Sequence, residues 1–190
     1  MSKHAAIESD ELVDERLTRA AESVERLTRW RDDFPTPGVR FADLTPVLAD
    51  AEGFRDVLDC LAHCTPEVDL VAGIDARGFL LGAGVAATLG TGVLAVRKAG
   101  KLPPPVLARE YDLEYGSAAL EIPADGVDLT GRRILLLDDV LATGGTLAAA
   151  ASLFTNAGAE IVAAAVVLEL EELSGRERQG DYPLTSIVKI

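Results

Sequence analysis

RRILLLDDVLATGGTL, residues 132–147, is the stretch that decides the fold. Its continuous apolar run is typical of a strand whose two faces are both covered by helices. The run ends at Asp138 and Asp139, two adjacent carboxylates that repel each other. Gly144 and Gly145 follow, and glycine weakens any helix that begins there. Local stability does not favour this combination, which therefore indicates a functional loop between a buried strand and a helix.

Strands and helices alternate along the rest of the chain. Apolar and β-branched runs predict strands over residues 68–74, 92–97, 119–122, 132–139, 161–168 and 184–190. Apolar residues at steps of three and four predict helices over residues 11–30, 53–63, 76–90 and 144–157. This alternation predicts an α/β fold over residues 1–190, a single domain with a mostly parallel sheet flanked by helices.

Three segments fit neither pattern. Residues 33–48, DFPTPGVRFADLTPVL, contain three prolines and predict turns or extended chain. Residues 98–117 have three consecutive prolines, mixed charge and no clear periodicity, which predicts a long flexible loop. Residues 1–10 are polar and acidic, and we expect them to be disordered.

Charge and composition disfavour several classes of function. The 190 residues carry a net charge of −13, which disfavours binding to nucleic acid or to an anionic membrane. No apolar run of about 18 residues occurs and the N-terminus has no signal-peptide pattern, so we expect a cytoplasmic protein. Cys60 and Cys64 flank His63, but a zinc site needs a second ligand cluster, and core thiols are the simpler interpretation.

The loop after the aspartates has the composition of a phosphate-binding site. It consists of Ala142, Thr143, Gly144, Gly145 and Thr146. In open parallel sheets ligands bind beyond the carboxyl ends of strands, and the N–H groups and dipole of a helix start favour an anion. A nucleotide-triphosphate loop would need lysine where Leu147 stands. Carboxylates accept hydrogen bonds from sugar hydroxyls, so the aspartates and the loop together predict a site for a ribose 5-phosphate.

ILLLDDVLATGGTL, residues 134–147, resembles the phosphoribosyl-diphosphate motif of the type I phosphoribosyltransferases. Other segments resemble the members of that family that act on adenine, and the resemblance runs from about residue 12 to the end of the chain. These segments are residues 33–48, IDARGF (74–79), RKAGKLP (97–103), YDLEYG (111–116) and LEL (168–170). The resemblance implies transfer of the 5-phosphoribosyl group from phosphoribosyl diphosphate to adenine, through an oxocarbenium-like transition state. It also implies a small N-terminal base-binding hood over residues 11–48 and a catalytic role for the loop at 98–117.

The resemblance implies how the diphosphate is held. Arg77 begins a helix directly after a strand, so the neighbouring N–H groups also point towards an anion. In the family this loop contacts the diphosphate, and the resemblance gives Arg97, Lys98 and Lys101 the same role. Magnesium is expected to be carried mainly by phosphoribosyl diphosphate, since this ion usually keeps substrate phosphates and water as ligands. A homodimer is expected from the family alone.

The resemblance also implies how the base is held and where its proton goes. Phe41 is expected to stack on adenine, and Val39, Arg40 and Ala42 to contribute mainly through their main chain. Many relatives have a basic or larger residue where this chain has Ala42. Glu114 is the expected general acid–base group, and Tyr115 follows it at the substrate.

Three other functions deserve comparison. Gly82 to Ala87 fits the G-x-G-x-x-A pattern of dinucleotide enzymes, but Gly82 lies two turns into the predicted helix and no acidic residue follows at the required distance. These glycines more simply allow a helix to pack closely on the sheet. A non-catalytic regulator that binds phosphoribosyl diphosphate would normally add a basic DNA-binding module, which we do not expect here because the N-terminal segment is short and the net charge is −13. A phosphoribosyltransferase for another base, such as xanthine or hypoxanthine, remains open at this point.

Overall fold

The computed structural model describes residues 3–63, 67–112 and 117–190. Contacts between residues divide the chain into two compact units, residues 1–64 and residues 65–190. Within the described ranges, no helix is both long enough and apolar enough to cross a membrane.

The first unit is mainly helical. Its elements are α1 (Lys3–Leu27), β1 (Arg29–Arg31), β2 (Phe41–Asp43), α2 (Thr45–Ala49) and α3 (Ala51–His63). Helix α1 begins at Lys3, so residues 3–10 are helical where disorder was predicted, and it ends at Leu27 instead of Trp30. The apolar spacing continues to Trp30, but this residue pairs with Ala42 of the antiparallel strand β2. Pairing between distant residues therefore overrides the local helical pattern here.

The second unit contains a seven-stranded sheet with the strand order β5-β6-β4-β3-β7-β8-β9. Its elements are β3 (Leu70–Ile74), α4 (Arg77–Leu89), β4 (Gly92–Lys98), β5 (Val106–Asp112), β6 (Ser117–Pro123), β7 (Arg133–Leu141), α5 (Gly145–Asn156), β8 (Glu160–Glu169) and β9 (Leu184–Lys189). Strands β4, β3, β7, β8 and β9 are parallel to one another, and β6 runs antiparallel to both of its neighbours, β4 and β5. The predicted α/β fold with a mostly parallel sheet is confirmed.

The prediction of a continuous loop over residues 98–117 is wrong for residues 106–112. These residues form β5, which pairs along its whole length with β6. Leu107 and Tyr111 of β5 pack against the core under the sheet. Arg109 lies between them on the same side of the strand. This charged residue interrupts the alternation of apolar residues by which the sequence would have indicated a strand.

Helix α4 lies so close to the sheet that glycine is required at the contact. A Cβ atom on Gly73 of β3 would clash with the carbonyl oxygen of Gly78, and one on Gly78 would lie 2.8 Å from the carbonyl oxygen of Leu137. A Cβ atom on Gly82 would lie 3.2 Å from the Cα atom of Gly73. The prediction that Gly82 serves helix–sheet packing is confirmed, and this close contact fixes where Arg77 begins the helix.

Candidate active site

Asp138 and Asp139 lie next to each other near the end of β7. Asp139 is only 8% exposed, and its carboxylate forms an ion pair with the guanidinium of Arg77. The backbone N–H of Asp139 donates a hydrogen bond of 2.9 Å to Oδ1 of Asp138. Burial and then the neighbouring Asp139 charge raise the pKa of Asp138 well above its ordinary value of 3.8. The site thus holds a carboxylate where ionisation is unfavourable.

Replacing Asp138 by asparagine is therefore expected to stabilise the chain at neutral pH. A carboxyl whose folded pKa is raised favours folding when protonated, and this contribution is lost as the pH rises above 3.8 towards the folded pKa. Asparagine removes the charge but keeps an oxygen for the Asp139 N–H. We expect the Tm at pH 7 to rise by about 2–4 °C, corresponding to about 1 kcal/mol, and the gain to shrink at lower pH. Thermal unfolding without substrate measures this, and a lower Tm at pH 7 contradicts it.

The predicted phosphate cradle joins β7 to α5. Gly144 precedes the helix in the left-handed conformation, with a φ of 78°, and no side chain caps the first turn of α5. Thr143 and Thr146 are partly exposed beside it. The uncapped first N–H groups of the helix and two threonine hydroxyls thus occur together in one short loop, and these are donors that suit a tetrahedral anion.

Cationic side chains gather at the ends of β3 and β4. Asp75 accepts hydrogen bonds from Nε of Arg97 at 3.2 Å and from the backbone N–H of Lys98 at 3.4 Å. The guanidinium of Arg97 lies 5.4 Å from the ring centroid of Phe79. Since β4, β3 and β7 are adjacent and parallel, their carboxyl ends place this cluster at the same sheet edge as the aspartates. The structure therefore places Arg77, Arg97 and Lys98 at the same sheet edge as Asp138 and Asp139, and Lys101 follows in the loop after β4.

Glu121 was not among the predicted residues, but it contacts the loop that follows β4. It is 4% exposed on β6, and its carboxylate accepts backbone hydrogen bonds from Gly100 (3.0 Å), Lys101 (2.7 Å) and Leu102 (2.7 Å). Burial opposes its ionisation, but these three donors outweigh burial and hold the pKa of Glu121 below its usual range. Glu121 thus fixes the backbone of the loop that carries Lys101. A glutamate between Leu120 and Ile122 in an apolar strand was the available signal.

The predicted base-binding residues lie in the first unit, beside an open cleft of about 480 Å³. The cleft is lined by Arg31, Asp32, Asp33, Phe34, Phe41 and Asp43. Phe41 packs edge-to-face against Phe34, with ring centroids 5.1 Å apart, and so presents an aromatic surface.

The two residues that flank Phe41 direct their side chains elsewhere. Arg40 places its guanidinium 4.3 Å from the ring centroid of Trp30 and 3.9 Å from Asp32. Ala42 is buried, because alternation along β2 turns it away from the side that Phe41 and Asp43 present. Val39 is partly exposed just before β2. Arg40 and Ala42 are therefore available to a ligand mainly through their main chain.

Two predicted residues, Glu114 and Tyr115, lie outside the described residues, as does Cys64. Cys60 is buried in helix α3, which agrees with the prediction of a core thiol. In the described part of the chain, no group of three or more histidine, cysteine, aspartate or glutamate side chains is arranged to hold a metal ion.

Comparison with known proteins gives the family. The model of the phosphoribosyl transferase domain matches residues 59–190. The adenine phosphoribosyltransferase of Nocardia farcinica is 80% identical over 190 residues, which cover 100% of both chains. The adenine phosphoribosyltransferase of Thermoanaerobacter pseudethanolicus has 42% sequence identity with this chain. Its crystal structure superposes with a TM-score of 0.85 over 90% of this chain and 99% of that one.

The Saccharomyces cerevisiae enzyme was crystallised with adenine and an imino-altritol bisphosphate. It is 31% identical with a TM-score of 0.83, covering 89% of this chain and 98% of its own. Fold, motif and full-length likeness agree, and this chain belongs to the adenine phosphoribosyltransferases, a family within the type I phosphoribosyltransferases.

Proposed function

We propose that this chain transfers the 5-phosphoribosyl group of phosphoribosyl diphosphate to adenine, giving AMP and diphosphate. The observation that carries the proposal is the sheet edge where the Gly144 cradle follows Asp138 and Asp139 and where the Arg77–Asp139 ion pair forms. A phosphate site, a carboxylate pair and a cationic cluster on adjacent strands match the three charged or hydroxylated parts of this substrate.

Each group has a distinct task in the proposed reaction. The cradle holds the 5′-phosphate, and the aspartates accept hydrogen bonds from the ribose hydroxyls and stabilise the cationic sugar as the C1–O bond breaks. Arg77, Arg97, Lys98 and Lys101 hold the leaving diphosphate, the last on a loop fixed by Glu121. Bound Mg²⁺ supplies further neutralisation of that charge, with phosphate oxygens and water as its main ligands. Phe41 is proposed to stack on the purine, and Tyr115 is proposed to contact the substrate.

Pyrophosphate release tests the proposal directly. The protein is mixed with phosphoribosyl diphosphate and Mg²⁺, and with adenine, hypoxanthine or xanthine in separate reactions. Turnover with adenine is expected. Turnover with hypoxanthine or xanthine but not with adenine would show that the enzyme is specific for another base. Binding of phosphoribosyl diphosphate without turnover of any base would favour a regulatory protein.

Glu114 is proposed to exchange the adenine proton. Adenine must lose its N9 proton as the new bond forms, and the Glu114 carboxylate is a group that can accept it. We expect Glu114→Leu to lower kcat by about 10²-fold or more, which is typical of general acid–base catalysis. Steady-state rates within threefold of the unmodified enzyme would remove Glu114 from the mechanism.

We also propose that the enzyme is a cytoplasmic homodimer. Helix α4 and strand β4 adjoin and expose large apolar side chains, Leu80 at 54% and Val93 at 46%. Such side chains on neighbouring elements suit an interface with a second copy. Leu80→Arg/Val93→Arg is expected to sediment as a monomer, whereas Val127→Arg, at an exposed valine outside both elements, stays dimeric. A double variant that remains dimeric would exclude this face.

A further inference from the structure

A turn after β8 packs directly against the phosphate cradle. Gly175 is buried in a short 3-10 helix, Gly175–Arg178. A Cβ atom on Gly175 would clash with the carbonyl oxygen of Ala142 and lie 2.9 Å from the backbone nitrogen of Gly144. Conversely, a Cβ atom on Gly144 would clash with the carbonyl oxygen of Gly175 and lie 3.0 Å from its carbonyl carbon. Two backbones thus meet with no room for a side chain on either.

The next residue, Arg176, fastens this turn to the ends of two strands. Its guanidinium donates to Oε1 of Glu169 at 2.9 Å through Nε and to the carbonyl oxygen of Leu184 at 2.8 Å through Nη1. Nη2 donates to Oε2 of Glu169 at 2.5 Å and lies 3.0 Å from Oγ of Ser186. The Ser186 hydroxyl in turn donates to Oε2 of Glu169. A two-pronged contact of this kind fixes direction as well as distance.

Glu169 accepts hydrogen bonds from both Arg176 and Ser186 and is itself held in the sheet. It is 4% exposed, at the end of β8, and pairs with Lys189 of β9 in the sheet. The Arg176 guanidinium beside it holds the pKa of Glu169 below its usual range, against the opposing effect of burial. An ionised, buried carboxylate that is paired on both oxygens constrains its partner strongly.

We propose that the network of Glu169, Arg176 and Ser186 is a positioning device for the phosphate cradle, acting through the backbone contact between Gly175 and Gly144. The inference rests on the proposed function. Binding groups must be held within about 0.5 Å of their productive geometry, and the left-handed Gly144 has no side chain to hold it. The turn at Gly175 therefore restrains the backbone of the glycine-rich cradle, which has no side chain of its own to do so.

Two variants and one control test this role. Gly175→Ala places a methyl group between the turn and the cradle, so that one of the two backbones must shift. Arg176→Lys keeps the positive charge but loses the planar guanidinium and its paired donors. Arg178→Lys is the matched control, since Arg178 is exposed in the same turn. Calorimetry measures the Kd for phosphoribosyl diphosphate with Mg²⁺ and, separately, for adenine, while steady-state kinetics give KM and kcat and thermal unfolding gives Tm.

We expect both variants to weaken phosphoribosyl diphosphate binding, by about tenfold for Gly175→Ala and about threefold to tenfold for Arg176→Lys. Adenine affinity should stay within twofold, and Arg178→Lys should match the unmodified enzyme. A lower Tm with unchanged phosphoribosyl diphosphate binding overturns the inference, as does an equal loss of affinity for both ligands. Failure of the unmodified chain to bind phosphoribosyl diphosphate or to turn over adenine instead overturns the proposed function, and this inference with it.

Discussion

Asp139→Asn is expected to lower kcat/KM for phosphoribosyl diphosphate by about 10³-fold, the upper end of what one group that stabilises transition-state charge contributes. Two losses combine in this variant. The negative charge that would face the cationic sugar disappears, and Arg77 loses the carboxylate with which it is paired. Asparagine has nearly the same shape as aspartate, so the packing of β7 should persist.

Steady-state kinetics with adenine held at saturation measure the loss. Asp128→Asn makes the same chemical change at an exposed turn, where Asp128 accepts the Thr130 N–H at 3.0 Å, and should retain full activity. Circular dichroism and thermal unfolding establish that both variants are folded. A loss smaller than about tenfold in Asp139→Asn would mean that Asp138 alone serves the sugar.

Gly73→Ala is expected to lower the free energy of unfolding by about 3 kcal/mol, the upper end of the usual cost of overpacking. The added Cβ would clash with the carbonyl oxygen of Gly78 and lie 3.2 Å from the Cα atom of Phe79. Both neighbours are backbone of α4, which cannot yield as a flexible side chain would. Since domains are stable by only about 5–15 kcal/mol, this is a large fraction of the total.

Urea unfolding provides the measurement, with Gly92→Ala as the matched control. Gly92 pairs with Leu70 in the adjacent strand, and its added Cβ would approach only the flexible Cδ1 of Leu70, at 3.2 Å. The control should change the free energy of unfolding by less than about 1 kcal/mol. If the two variants unfold at similar urea concentrations, α4 does not depend on close contact with β3.

The central part of the fold was predictable because its signals are local. Ile134 to Leu137 are completely buried, as their unbroken apolar run predicts. The cradle was also predictable, since Thr143 to Thr146 are contiguous in sequence. The family resemblance assigned Arg77 and Asp139 to one site, and their ion pair agrees with this because parallel strands end at the same edge of a sheet.

The missed features depend on partners that are distant in sequence. Strand β5 is stabilised by pairing with β6, and the three prolines directly before it make this part of the sequence resemble a loop. Gly175 is an ordinary turn glycine in the sequence, and its importance appears only when the fold brings it against Gly144. Glu121 likewise gains its role from the loop folded over it. Such contacts leave no periodicity or motif in the sequence.

The ion pair between Arg77 and Asp139 has a consequence for the order of events during substrate binding. In the proposed reaction Arg77 serves the leaving diphosphate and Asp139 serves the sugar, yet the structure pairs these two side chains with each other. If the diphosphate draws Arg77 towards itself, the Asp139 carboxylate becomes available to the ribose hydroxyls. On the proposed function, free diphosphate or free ribose 5-phosphate would each complete only part of this exchange of partners, which would favour the intact substrate.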